Sequence, residues 1–126
     1  MATEQSLFHR LGGSKGIAAL VDDIVVAHTE NPTIRVRFLP VVGDRARLDV
    51  IKQHTCQFLE MGSGGPAKYE GRSMRDAHRG MNISPTEYMA VVDDILGVLR
   101  KHQIDEQSQK DVLAIAWSLK GDIMHI

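Results

Sequence analysis

Apolar side chains recur at helical spacing over nearly the whole of this chain, and that periodicity restricts it to a fold built from helices. The longest run follows Gly13, and the side chains that share one helical face there are Ile17, Leu20, Val21, Ile24, Val25 and His28. No stretch alternates polar and apolar residues as a half-buried strand does, and no internal repeat interrupts the pattern. The sequence therefore predicts an all-α protein.

Glycine, asparagine and proline mark the ends of the first two predicted helices. Gly12-Gly13 stops a short helix near the start of the chain, and Ser14 is the expected N-cap of the helix that follows. Asn31-Pro32 ends this second helix, because proline disfavours helical geometry in the residue before it. We expect an irregular segment over residues 33–43, with Phe38 as its one large apolar anchor.

A third long helix is predicted over about residues 45 to 61, with Asp44 as its N-cap. The glycine-rich stretch at residues 62–66 then breaks regular structure. A short amphipathic segment follows, and the side chains on its apolar face are Met74, Ala77, His78 and Met81. This segment places an imidazole among apolar neighbours.

Ser84-Pro85-Thr86-Glu87 is the clearest local signal in the sequence. Serine at the cap, proline at the first helical position and glutamate at the third form a capping box, which predicts a helix that runs to about His102. Asp105 is the expected cap of a last helix, whose apolar face continues to Ile123.

Length and charge exclude several classes of protein. The 126 residues suffice for one domain, predicted over 1–126, and no apolar run approaches the ~18 residues of a membrane span. The 15 basic and 16 acidic residues are interspersed, so the concentrated basic face of a nucleic-acid binder is missing. The lone cysteine, Cys56, rules out an internal disulfide, and the first five residues lack a signal-peptide pattern. We therefore expect a cytoplasmic protein with neither a nucleic-acid nor a membrane partner.

Two of the six histidines lie where an imidazole has a chemical use. His78 stands inside the apolar face of its segment, and His54 lies at the edge of the face that contains Ile51 and Phe58. Each has two interpretations from the pattern alone, a hydrogen-bonded histidine of the core or a neutral ligand to haem iron. No zinc motif of the usual spacing is present, and the Gly12–Gly16 stretch lacks the preceding strand of a phosphate-binding loop.

Three stretches of the chain resemble the truncated haemoglobins of group I. They are Leu7-Phe8-His9-Arg10-Leu11-Gly12-Gly13, then Phe58-Leu59 followed by Gly64-Gly65-Pro66, and lastly Tyr69-Glu70-Gly71-Arg72-Ser73-Met74-Arg75-Asp76-Ala77-His78. The third is similar to the family signature Y-x-G-R-x-M-x-x-A-H, and the resemblance as a whole covers residues 6 to about 117. It implies the truncated-globin fold, a two-over-two helical sandwich that encloses haem b (iron protoporphyrin IX).

The resemblance also implies roles for individual residues. His78 matches the proximal histidine, the axial ligand of the iron, and we expect Asp76 or a backbone carbonyl to orient its other ring nitrogen. Phe38 matches the phenylalanine that packs on the haem face. The other expected cofactor contacts, including two cations suited to the propionates, are Ile51, His54, Phe58, Met74, Ile83, Lys52 and Arg79.

On the side of the haem opposite His78, the chain departs from the family pattern. The family commonly has tyrosine at the position that aligns with Val25 and often glutamine at that of Thr55. Valine donates no hydrogen bond to a gaseous ligand, so oxygen binding is expected to lose about 1.5–3 kcal/mol. The resemblance therefore does not imply tight oxygen binding in this chain.

His54 is the candidate to fill that gap. Some family members use a histidine 24 positions before the proximal one as a second axial ligand, and His54 stands at that distance from His78. The resemblance then implies a six-coordinate resting iron from which external ligands displace His54. The alternative is a partly exposed His54 beside a haem propionate.

Three functions remain open from the sequence. The first is reversible binding of O2, NO or CO, with dioxygenation of NO to nitrate where an external reductase supplies electrons. The second is a haem-based redox or gas sensor, or an electron-transfer module. The third is a haem-free helical interaction domain in which His78 is merely packed. For all three we expect a monomer or a weak homodimer.

Overall fold

The computed structural model describes residues 5–126, and the regular elements of this range are helices. They are α1 (Leu7–Arg10), α2 (Gly13–Glu30), α3 (Arg35–Val42), α4 (Arg45–Gly62), α5 (Met74–His78), α6 (Pro85–Lys101), α7 (Glu106–Ser118) and α8 (Lys120–Ile123). The all-α prediction is confirmed for these residues, which add one isolated parallel bridge between Ile83 and Met124. Residues 1–4, part of the predicted domain 1–126 and of the start examined for a signal peptide, lie outside the described residues. Over 5–126, no helix combines the length and hydropathy that crossing a bilayer requires.

Helix α2 is the centre of the fold and packs against α3, α4 and α6. The main core lies where α1, α2, α6 and α7 meet, and its buried side chains are Leu11, Ile17, Leu20, Val21, Ile24, Val98, Leu99 and Val112. A second cluster joins the start of α6 to α8, and its buried side chains are Ile83, Tyr88, Val92 and Ile123. Because short helices are marginal in water, the burial of these apolar faces is what stabilises them.

Side-chain caps fix the starts of three helices where the sequence predicts them. Asp44 caps α4, Asp105 caps α7, and each carboxylate accepts a backbone N–H of its helix's first turn. At α6 the Ser84 hydroxyl accepts the Glu87 N–H while the Glu87 carboxylate accepts the Ser84 N–H, which completes the capping box. These local signals therefore set where α4, α6 and α7 begin.

The predicted N-cap of α2 is wrong. Gly12 occupies the cap position with φ at +97°, a left-handed conformation that glycine adopts most readily. Ser14 lies within the helix, and its hydroxyl donates to the Glu60 carboxylate of α4 at 2.7 Å. A contact with a distant helix has replaced the local cap.

The segment 33–43, expected to be irregular, contains helix α3. Pro40 lies inside this helix and removes one backbone donor, yet the helix persists. Ile34 at the N-cap and Val41 within the helix are buried, and the Arg37 guanidinium binds both oxygens of the Glu87 carboxylate. Tertiary contacts therefore outweigh the proline in this segment.

The last predicted helix is two helices. α7 ends at Ser118, Leu119 separates it from α8, and Ile123 of α8 is buried in the second cluster. The break redirects the chain so that α8 packs against α5. The sequence pattern places Ile123 correctly on an apolar face but misses the change of direction.

Candidate functional site

Helices α4 and α5 contain no buried residue, although both carry apolar side chains. Ile51 and Phe58 of α4, and Met74 and His78 of α5, are only half-buried. Within the described range, substantial contacts join α4 to α2 and α3, and α5 to α8, but none joins α4 to α5. The two helices do not pack together, and their apolar side chains are only half-covered. Such surfaces are suited to form the walls of a site for a large apolar group.

The His78 ring has a defined hydrogen bond at one nitrogen. His78 Nδ1 lies 2.7 Å from the backbone carbonyl oxygen of Met74. A carbonyl oxygen only accepts, so Nδ1 carries the proton, and in the neutral ring Nε2 keeps its lone pair. Of the two groups expected to orient this ring, the backbone carbonyl does so, while Asp76 pairs with Arg79 at 3.4 Å.

The opposite wall offers no directed donor at the two positions that the family likeness singles out. Val25 is half-buried and packs against the main core. The Thr55 hydroxyl donates to the Ile51 carbonyl oxygen of its own helix at 2.8 Å, so its proton is already committed. Neither side chain presents a free N–H or O–H.

His54 is held by ring contacts. Its imidazole lies edge-on to the Tyr69 ring with centroids 5.9 Å apart, and Phe58 packs on the same tyrosine at 5.5 Å. No side chain of residues 5–126 hydrogen-bonds the His54 ring, so a ring nitrogen that carries a lone pair is available to a metal. Tyr69 itself is fixed, because its hydroxyl donates to the Arg72 carbonyl oxygen and a Cβ at Gly71 would overlap its ring. Tyr69 belongs to a motif that marks the family likeness, but its contact with His54 is not predictable from that motif.

Phe38 rests on a polar cluster that sequence reasoning missed. The His28 ring lies 5.0 Å from the Phe38 ring at an angle of 32° and is 6% exposed. His28 Nδ1 donates to the Asp94 carboxylate at 2.8 Å, and the Asn31 amide donates to the same carboxylate. Burial lowers the pKa of His28, against the smaller opposing effect of its hydrogen bond to Asp94. The position of His28 on the apolar face of its helix was the signal that could have found it.

The remaining predicted cofactor contacts fall into two groups. Ile83, on the second cluster, is buried. Lys52 Nζ lies 3.2 Å from the Asp22 carboxylate of α2, and Arg79 is exposed beside Asp76. Both cations thus have carboxylate partners of their own, and their pairing with haem propionates stays a prediction.

The residues present fit a haem group. The wall on the side of α5 supplies one neutral imidazole with a free Nε2, together with the apolar side chains of Met74 and Ile83. The wall on the side of α4 supplies aliphatic and aromatic surface and a second imidazole without a hydrogen-bonded partner in the described range. One or two imidazoles within apolar surroundings are the donor set that haem iron takes from a protein.

Comparisons with known proteins point the same way. The family model described as "Bacterial-like globin" matches residues 6–125. The group 1 truncated hemoglobin of Synechocystis sp. is 29% identical over 117 residues, which cover 88% of this chain and 89% of that protein. That of Chlamydomonas moewusii is 26% identical over 123 residues, 96% of this chain and 69% of that protein.

Solved structures share the same fold. The Fe(III) form of the truncated hemoglobin from Tetrahymena pyriformis superposes with a TM-score of 0.87 at 20% identity, covering 97% of this chain and all of that one. The 2/2 hemoglobin of Synechococcus sp., in the cyanomet state and with covalently attached heme, gives 0.83 at 22% identity, with 95% and 98% covered.

Proposed function

This chain belongs to the bacterial-like globin family and is a haem protein that binds gaseous ligands, and from that premise we propose that His78 is the axial ligand of the iron and His54 its second, displaceable ligand. Family membership confirms the predicted truncated haemoglobin of group I, and the solved structures confirm the two-over-two fold. Haem as the cofactor is confirmed with them.

One observation supports the role of His78 above all others. The hydrogen bond from Nδ1 to the Met74 carbonyl fixes both the tautomer and the rotation of the ring. A histidine that binds a metal through one ring nitrogen usually donates a hydrogen bond from the other. Here that bond leaves Nε2 unprotonated and raises its basicity. The Met74 residue that accepts this bond is also an expected apolar neighbour of the haem.

The chain's own residues have distinct tasks in such a site. Haem supplies an iron atom that binds diatomic gases. His78 would hold the iron through Nε2, while Phe38, Met74 and Ile83 would provide apolar surface that excludes water from the cofactor. His28 packs against the Phe38 ring and is itself fixed by its hydrogen bond to Asp94, so it supports the position of Phe38.

The environment of His54 supports its role as the second ligand. The ring is half-buried, it is positioned by Tyr69, and no described side chain occupies its nitrogens by hydrogen bonding. An internal ligand lowers the apparent affinity for gases, because external ligands bind only the fraction of molecules in which His54 has left.

The lack of a directed donor near the gas favours reactive or redox roles over oxygen storage. We propose reversible binding of O2, NO and CO, and dioxygenation of NO to nitrate with electrons from an external reductase.

Mixing the reduced protein in air-saturated buffer with NO should yield nitrate in proportion to protein. Absence of nitrate would favour the second candidate, a sensor or electron-transfer module, which the displaceable His54 supports. A monomer or weak homodimer stays the prediction for its assembly.

The decisive test of haem ligation is removal of the His78 imidazole. His78→Ala should lose the Soret band after purification, whereas His9→Ala, which removes an exposed imidazole of α1, should keep it. Far-ultraviolet circular dichroism checks that both variants remain helical. A full Soret band with an unchanged spectrum in folded His78→Ala would disprove the axial role of this residue.

Absorption spectra test the second ligand. The ferric and ferrous wild-type protein should show low-spin, six-coordinate bands, and His54→Leu should convert them to high-spin bands. Gln53→Leu, on the exposed side of the same helix, is the matched control and should leave the spectrum unchanged. A five-coordinate, high-spin ferrous spectrum in the wild-type protein would contradict the assignment of His54.

A further inference from the structure

The segment Met124–Ile126, which follows α8, lies along the loop that follows His78. The Ile126 carbonyl oxygen accepts the backbone N–H of Gly80 at 3.1 Å and that of Asn82 at 2.9 Å. The His125 N–H donates to the Ile83 carbonyl oxygen at 3.1 Å, and Met124 forms the parallel bridge with Ile83. Three hydrogen bonds therefore join two stretches of non-helical backbone. We call Met124–Ile126 the strap.

The loop that the strap contacts has one backbone hydrogen bond of its own, from the Met81 N–H to the His78 carbonyl oxygen at 3.1 Å. Helix α5 is five residues long with no buried residue, too short to be stable alone. Gly80 and Asn82 both have left-handed backbones, with φ at +86° and +46°. For asparagine this conformation is uncommon and persists where surrounding contacts impose it. The hydrogen bonds to Ile126 are contacts of that kind.

Two further contacts hold the same region from its flanks. Arg37 of α3 donates to the Met81 carbonyl oxygen at 3.0 Å, and Arg75 of α5 pairs with Asp122 of α8 at 3.4 Å. Arg37 is itself anchored by Glu87, and this guanidinium is the main reason that the pKa of Glu87 falls to about 2. Arg37 of α3 and the strap after α8 therefore hydrogen-bond to the same loop from two different helices.

We propose that the strap is a positioning element for the haem ligand, because it fixes the backbone immediately after His78 and thereby sets the angle at which the ring meets the iron. The proposal rests on the proposed function, in which His78 is the axial ligand. The Met74 carbonyl fixes rotation of the ring, and the strap fixes the point of the chain from which the ring projects. His125 is the residue to test, since its N–H makes one of the three bonds and its exposed side chain adds only a long contact, 3.4 Å from Nδ1 to the Asn82 side-chain oxygen.

Two substitutions of His125 distinguish the effect of its backbone hydrogen bond from the effect of its side chain. His125→Pro removes the N–H, and proline cannot adopt the observed φ of +60°. The extended backbone of Met124, at φ −75° and ψ 139°, accommodates a following proline. His125→Gly removes the same imidazole but keeps the N–H and accepts the positive φ, so it is the matched control.

The first readouts are haem dissociation into excess apomyoglobin and the iron–histidine stretching frequency of the ferrous protein. Both are measured in a His54→Leu background, which removes the candidate second ligand. His125→Pro should release haem about five- to tenfold faster, the effect of losing one or two hydrogen bonds, and shift the frequency. His125→Gly, which keeps the N–H and loses only the 3.4 Å contact of Nδ1 with Asn82, should stay within about twofold of the parent rate and leave the frequency unshifted. Equal rates and frequencies in the two variants would overturn the proposal.

Amide hydrogen exchange in the wild-type protein provides a readout that does not depend on any variant folding. The Gly80 and Asn82 amides should exchange slowly, and the exposed amide of Arg79 should exchange fast. Exchange of Gly80 and Asn82 at unprotected rates would also overturn the strap. A wild-type protein that takes up no haem would instead refute the proposed function, so the two failures are distinguishable.

Discussion

The two walls of the haem site are built differently. On the side of His78, defined hydrogen bonds fix the polar groups: the ring nitrogen to Met74, and the loop amides to Ile126. On the side of α4, Thr55 bonds within its own helix, and His54 is held by ring packing alone. The first wall is preorganised for one ligand geometry, whereas the second directs no donor at a gas. We therefore expect His78 to hold the iron in one fixed arrangement, and the choice among gases to depend on how readily His54 leaves.

Installing a hydrogen-bond donor at Val25 of α2, on the wall expected to face His78, should have the largest effect. Val25→Tyr places a hydroxyl at the family's usual position, and oxygen affinity should rise about 10- to 150-fold through one added hydrogen bond to a partly charged ligand. Laser photolysis and stopped-flow mixing give the oxygen association and dissociation rates, and the gain should lie in slower dissociation. Val25→Phe adds the ring without the hydroxyl and should not slow dissociation. An equal gain in both variants would show that packing, not donation, limits affinity.

Low pH should lower the free energy of unfolding, because the buried His28 resists protonation in the folded protein. Because burial lowers its pKa in the folded state, the unfolded chain binds more protons below the ordinary value of 6.5. The free energy of unfolding of the apoprotein should therefore fall as pH drops from about 6.5, by at most ~1.4 kcal/mol per pH unit from this group. Urea titrations at pH 7.5 and 5.5 measure that loss.

The matched variants assign the acid effect to one side chain. His28→Gln keeps a donor for Asp94 but does not titrate, so its loss of stability between the two pH values should be smaller than that of wild type. His9→Gln, an exposed histidine, should behave as wild type. A wild-type loss that persists unchanged in His28→Gln would place the acid sensitivity elsewhere.

Removing the Thr55 hydroxyl should have the smallest effect. Thr55→Val keeps the shape of the side chain and removes a hydroxyl that already donates its hydrogen bond to the Ile51 carbonyl oxygen. The affinities for oxygen and CO should therefore change less than about threefold. Equilibrium titration with each gas tests this. A tenfold loss for oxygen with none for CO would mean that Thr55 turns its hydroxyl toward the gas, and the contrast between the walls would then be wrong.

Local pattern predicted much of the fold and part of the site. Capping signals at Asp44, Ser84 and Asp105 act within one helical turn, so sequence alone fixes them. The helix within residues 33–43 is not predictable from local pattern, because the burial of Ile34 and Val41 depends on distant helices. The sequence marked His78 and His54 but could not show which nitrogen of His78 is free.

Residues a few positions apart are enough to predict the helical class, the starts of the later helices and the histidine motif. Long-range packing establishes the rest: the His28–Asp94 pair joins residues 66 positions apart, and the strap meets its loop only after α8 packs on α5. Such contacts form only when the chain folds back on itself, so helical periodicity, which repeats every few residues, carries no record of them.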